Sequence, residues 1–163
     1  MDSALPAASD LCGAALIGEV VHRFGVVRLR AAGSSMLPSI WPGDVLTVCR
    51  AEIGALQAGD VALFTREGRL FAHRVVGHIV SDGRVHLSTR GDTVPASDGP
   101  VSASELLGVV VAVSRNGKGS RTFASRGGSV RLVSAFARRS ARFSRIVQRV
   151  HRLAWSFPGV KPS

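Results

Sequence analysis

The chain has 163 residues, 45% of them hydrophobic, which suffices for one domain with a real core and argues against global disorder. Lys and Arg number 21 against 11 Asp and Glu, a net charge of +10. Two cysteines, Cys12 and Cys49, exclude a disulfide-stapled scaffold and a multi-cysteine zinc module, and no run of about 18 apolar residues offers an ordinary membrane-spanning helix.

The chain opens Met1-Asp2-Ser3-Ala4-Leu5-Pro6, acidic where an export signal would be basic, so a cytoplasmic location is expected. Residues 11–23 read as a short helix with Leu11, Ala15, Ile17 or Gly18, and Val21 near one face. Loose apolar alternation at 26–30 and 45–48 reads as strand. Segments 61–64 and 70–80 flank the dipeptide Glu67-Gly68 and predict a hairpin; a strand over 84–89 follows a second turn at Asp82-Gly83. The apolar run 106–113 reads as a final buried strand. Short strands at this spacing predict a mainly β fold, an antiparallel barrel or sandwich.

Charge divides the chain. Residues 1–114 hold nine Arg, no Lys and eleven acids, whereas 115–163 hold twelve basic residues and no acid. Four segments are predicted: an N-terminal helical piece at 1–24, a β domain at 25–114, a Gly/Ser-rich basic linker at 115–129, and a cationic amphipathic helix within 130–163. In the last of these, Val133, Phe136, Phe143, Val147, Val150, Ala154 and Phe157 recur at helical steps, and six arginines from Arg138 to Arg152 fill much of the other side. Such a helix suits an anionic membrane surface, which Trp155 favours, or docking on its own body; a basic arm for nucleic acid is the least favoured partner, and the lack of a helix-turn-helix before the body weakens a repressor reading.

The densest local pattern is Gly33-Ser34-Ser35-Met36-Leu37-Pro38-Ser39-Ile40, followed by Trp41-Pro42-Gly43-Asp44. A serine on such a loop, held between strands, can face a substrate while a base reaches it; the same residues also make plain turns. Lys118 and Lys161 are the only lysines and both lie in the cationic tail, so a Ser–Lys dyad inside the body is excluded. The bases left are His22, His73, His78 and His86. His73 lies mid-strand in Leu70-Phe71-Ala72-His73-Arg74-Val75-Val76, where the imidazole is either fixed for proton transfer or an ordinary half-buried sheet histidine. The stretch Thr89-Arg90-Gly91-Asp92-Thr93-Val94-Pro95-Ala96-Ser97-Asp98 offers two carboxylates able to orient an imidazole, although Gly-Asp also forms turns.

Taken in order, Ser35-Met36-Leu37-Pro38 with Gly43-Asp44, Gly59-Asp60-Val61, His73-Arg74-Val75, Arg90-Gly91-Asp92 through Asp98, and Gly108-Val109-Val110 resemble the motif set of the signal peptidase I superfamily, which includes the LexA-like self-cleaving repressors. The match spans about residues 25–113. Histidine at position 73, where bacterial signal peptidases carry lysine, is similar to the endoplasmic-reticulum, archaeal and sporulation-type branch. The resemblance implies a fold built on a coiled antiparallel sheet or barrel and a serine endopeptidase acting on a precursor or signal-type peptide through an acyl-enzyme. It assigns Ser35 as nucleophile, His73 as general base and Asp98 as orienting acid, with Asp92 in support. It also implies small residues beside the cleaved bond and no metal or organic cofactor. Enzymes of this type carry a membrane anchor before the serine motif, and the thirty or so residues preceding it here contain none; the cationic helix would then serve as an interfacial anchor. The alternative is a non-catalytic module of the same fold that binds peptides or membranes.

Overall fold

A computed structural model describes residues 8–115 and 118–122, with side chains over 13–115. Helix α1 (Ala8–Phe24) comes first. Seven strands follow: β1 (Val26–Arg30), β2 (Val45–Cys49), β3 (Val61–Arg66), β4 (Arg69–Ser81), β5 (Arg84–Arg90), β6 (Leu106–Arg115) and β7 (Lys118–Thr122). One 3-10 turn, Ile53–Ala55, lies between β2 and β3.

All strand pairs are antiparallel. The order along the sheet is β1-β2-β6-β3-β4-β5, with β7 as a branch on β6. The sheet is not closed, so the barrel alternative does not hold. Its two ends meet other partners: Leu87 on the outer edge of β5 exchanges two 2.9 Å backbone hydrogen bonds with Val101, while β1 runs on into the serine-bearing loop. The pairing register shifts at Thr47/Val48, Leu63/Phe64 and Val75/Gly77, where the ladders are locally irregular.

Both hairpins follow the turn chemistry of their sequence. Arg66 and Arg69 pair across Glu67-Gly68, and Ser81 and Arg84 across Asp82-Gly83; all four turn residues have φ between 51° and 73°. That left-handed pair is what a two-residue turn needs to match the twist of its strands.

Each face of the sheet carries a core. On one, Leu46, Val48, Val61, Leu63, Val110 and Val113 pack with Met36 and Ile40 from the serine loop and with Ile17 of α1. On the other, Ala62, Phe64, Val75, Leu87 and Val109 pack with Leu56 and Val101. In α1 the residues turned inward are Ala14, Ile17, Gly18 and Val21, at steps of three and four, with Leu16 exposed on the other side. The expected face is thus off by one residue at its start, for Ala15 is exposed. Within the stretch expected as a linker, Lys118–Thr122 pairs with β6 as β7. The amphipathic segment at 130–157 lies outside the described residues.

Candidate active site

Ser35 sits on the loop between β1 and β2. The loop is built around Met36 and Ile40, which are 3% and 2% exposed and anchor it in the first core. Ile40 N–H bonds to Met36 C=O at 2.9 Å, and the Leu37–Pro38 peptide is cis. With its neighbours tied down, half-buried Ser35 is displayed on a turn rather than on a free tip.

The loop is closed from its far side by Asp44, only 2% exposed. Its carboxylate accepts from Trp41 N–H and, through both oxygens, from Arg115 Nε and Nη2, each at 2.9 Å. Arg115 lies 5.3 Å over the Trp41 ring, whose Nε1 donates to Pro38 C=O at 3.0 Å. A buried carboxylate needs such a partner, because desolvation otherwise penalises its charge.

His73 lies on β4 with Phe71 and Val75 on its own face and Ala62 opposite. It is 6% exposed, and the rings of Phe64 and Phe71 meet it edge-on with centroids 6.1 and 5.8 Å away. These contacts fix the plane of the imidazole. Ser35 Oγ is 2.9 Å from His73 Nε2, and His73 Nδ1 is 2.7 Å from Asp98 Oδ2. Nδ1 must donate to the carboxylate, which leaves Nε2 as the acceptor facing the hydroxyl. Residues 38 and 25 positions apart in sequence therefore form one hydrogen-bonded chain of hydroxyl, imidazole and carboxylate.

Besides the His73 bond, two further hydrogen bonds hold Asp98. Thr89, fully buried at the end of β5, donates its hydroxyl to Asp98 Oδ2 at 2.8 Å, and Asp98 N–H bonds to Thr89 C=O at 2.7 Å. Just beyond, Arg66 donates to the carbonyls of Gly99 and Pro100 and pairs with Glu105. Glu105 also takes hydrogen bonds from Ser102 N–H and Oγ; despite the opposing effect of burial, its carboxyl is held below the ordinary glutamate range.

Asp92 does not touch His73. It forms a bidentate pair with Arg74, Nε to Oδ1 and Nη2 to Oδ2, both at 2.7 Å, and accepts the Ser39 hydroxyl. The Arg74 hydrogen bonds, with Ser39 adding, hold its carboxyl below the ordinary aspartate range against the opposing pull of burial. This lock joins the loop after β5 to β4 and to the serine loop. Arg74 also donates to Gly59 C=O at 2.9 Å.

The remaining bases take no part in this chain. His22 is exposed on α1, His78 Nε2 contacts Ile53 C=O at 3.2 Å, and His86 Nδ1 is buried with no hydrogen-bond partner among the described residues. Cys49 is a free, buried cysteine, and burial pushes its thiol pKa up, which leaves it less reactive than an exposed one. A concavity of about 590 Å³ between α1 and residues 103–107, lined partly by Glu19, His22, Arg50 and Glu52, contains none of Ser35, His73, Asp92 or Asp98. Among the described residues no His/Cys/Asp/Glu cluster is arranged to hold a metal ion.

Ser35, His73 and Asp98 thus converge, Asp92 stands beside them as a brace, and Thr89 is a member of the network that the motif pattern did not single out. Its signal was there: position 89 shares the inward face of β5 with Leu87, so its hydroxyl is a buried polar group that needs a partner. A nucleophile, a base with a defined tautomer and an orienting carboxylate are the parts that acyl transfer requires. No protein-family model matches the chain, and a search of curated proteins finds no match either.

Proposed function

We propose that this chain is a serine endopeptidase of the signal peptidase type, cleaving a precursor or signal-type peptide through an acyl-enzyme. One observation carries the reading: the unbroken chain from Ser35 Oγ through His73 to Asp98, with bonds of 2.9 and 2.7 Å. An ordinary sheet histidine has no reason to present its free nitrogen to a loop serine while a carboxylate fixes the other.

In the proposed mechanism His73 Nε2 takes the hydroxyl proton as Ser35 Oγ bonds to the substrate carbonyl carbon. Asp98 stabilises the resulting imidazolium and keeps its orientation. The Ser35 N–H, which makes no hydrogen bond among the described residues, donates to the developing oxyanion. Nε2–H then protonates the departing amine as the C–N bond breaks. Water, deprotonated by the same nitrogen, releases the acid and restores Ser35.

Strand β4 supports a peptide substrate. It pairs with β5 only from Arg74 onward, so at 69–73 its side away from β3 has no strand partner among the described residues. An extended peptide laid along this stretch would satisfy the free backbone groups and bring a carbonyl past His73. Small side chains flank the cleaved bond in this proposal. No described helix is long and apolar enough to cross a membrane. The cationic segment at 130–157 is proposed to hold the enzyme on an anionic membrane surface.

The test is mass spectrometry of a peptide library incubated with wild-type and Ser35→Ala protein. Wild type is expected to cleave, and the variant to lose about 10⁴-fold or more of the rate with a melting curve within about 1 kcal/mol of wild type. Equal cleavage by both proteins, or binding without cleavage by either, would return the chain to a peptide-binding module.

A further inference from the structure

The segment that supplies Asp98 also grips the nucleophile. Thr93 N–H donates to Ser35 C=O at 2.9 Å and Thr93 Oγ donates to the same oxygen at 3.0 Å. Thr93 Oγ also stands 3.4 Å from Ser34 C=O, which accepts Leu37 N–H at 3.2 Å. A hydroxyl has one proton to give, so the shorter contact is the bond, and one residue satisfies both lone pairs of the Ser35 carbonyl. Thr93 can come this close only because Gly91 lies against Ser35 without a side chain.

We propose that Thr93 is a positioning residue for the nucleophile: its hydroxyl fixes the peptide plane that follows Ser35, and with it the direction of Oγ. The proposal deepens the endopeptidase reading and rests on it. Rotation about the Ser35 backbone swings Oγ away from Nε2, and the carbonyl is the lever by which that rotation is held. The Thr93 N–H alone leaves the peptide free to tilt about a single bond, whereas two donors on one oxygen define its plane. Thr93 makes no hydrogen bond to His73, and its two bonds both end on Ser35, so its effect passes through the serine loop. Being exposed, it adds little to the core, and loss of its hydroxyl should alter reactivity more than folding.

The experiment compares wild type, Ser35→Ala, Thr93→Val and Thr93→Ser for labelling by a fluorophosphonate reagent. The saturating rate and the half-saturating concentration are measured separately, and each protein is melted. Thr93→Val, which keeps the shape and removes the hydroxyl, is expected to slow the saturating rate about five- to tenfold with the half-saturating concentration unchanged within about twofold. Thr93→Ser restores the donor and should recover the rate to within about twofold, and the melting temperatures of all variants should agree within about 2 °C. A Thr93→Val protein labelling at the wild-type rate overturns the proposal, and so does a loss that serine does not restore or one that follows a drop in melting temperature. Wild type showing no Ser35-dependent labelling overturns the endopeptidase reading, and the proposal falls with it.

Discussion

Replacing Gly91 by alanine is a sharp test of how closely the loop after β5 fits the nucleophile. The new Cβ would lie 2.9 Å from Ser35 C=O, 3.1 Å from Ser35 Cβ and 3.2 Å from Val94 Cγ2, where ordinary contact begins near 3.4 Å. The nearest atom is backbone, and Thr93 already holds it with two hydrogen bonds, so it cannot swing aside as a flexible side chain would. Relief requires a movement of about 0.5 Å, the shortfall at the Ser35 oxygen, in Ser35 or in the 91–93 backbone. Misplacing a reacting group by about 1 Å costs on the order of 10²-fold, so half of that should slow acylation about tenfold. Overpacking costs about 1–3 kcal/mol, of which roughly 0.4–1 is offset by the stiffer unfolded chain, for a net loss of about 1–2 kcal/mol. The assay is fluorophosphonate labelling beside urea unfolding, with Gly54→Ala, where a Cβ meets nothing within 4 Å, as the unaffected control. Labelling and an unfolding midpoint both equal to wild type in Gly91→Ala would refute the argument that this approach sets the Ser35 position.

Asp98→Asn should lower acylation by about 10³-fold or more, because an amide at Oδ2 no longer enforces the Nδ1–H tautomer; a rate near wild type would show that His73 works without an orienting acid. The Arg74–Asp92 pair makes an acid-range prediction. The Asp92 carboxyl is held below its unfolded value, so its stabilisation is fully present above about pH 4 and is lost as pH falls through the lowered value. Urea midpoints followed from pH 7 to pH 2 should therefore fall less steeply in Asp92→Asn, with about 1 kcal/mol missing at neutral pH, and parallel curves would contradict this. At Gly108 an added Cβ would overlap the Cys49 carbonyl oxygen, where β2 and β3 close on β6, so Gly108→Ala should cost about 3 kcal/mol or more in a denaturant melt, well above Gly91→Ala.

Much of the sheet was legible because its signals are local. Glu67-Gly68 and Asp82-Gly83 declare two-residue turns, and the runs beside them alternate, so β3, β4 and β5 follow from turn chemistry alone. Strand order is different in kind. Nothing local in 106–115 says that β6 inserts between β2 and β3; that placement comes from burying its apolar run on both faces. β7 was hidden because Lys118-Gly119-Ser120-Arg121 has loop composition and gains its pairing from the free edge of β6. Among the site residues, Ser35, His73 and Asp98 stood out by motif, whereas Thr89 and Thr93 look like any strand or loop threonine until the chain is folded. Their meaning lies in which carboxylate or carbonyl comes opposite, a long-range fact.

The guanidinium over Trp41 has a practical consequence. Arg115 belongs to the basic C-terminal portion by composition, yet in the fold it neutralises Asp44 beneath the serine loop. A protein shortened at residue 114 to strip away its positive charge would therefore also disturb the turn that presents Ser35. Shortening after residue 122 spares Arg115 and its strand, and only then does a change in surface attachment report on the removed arm itself.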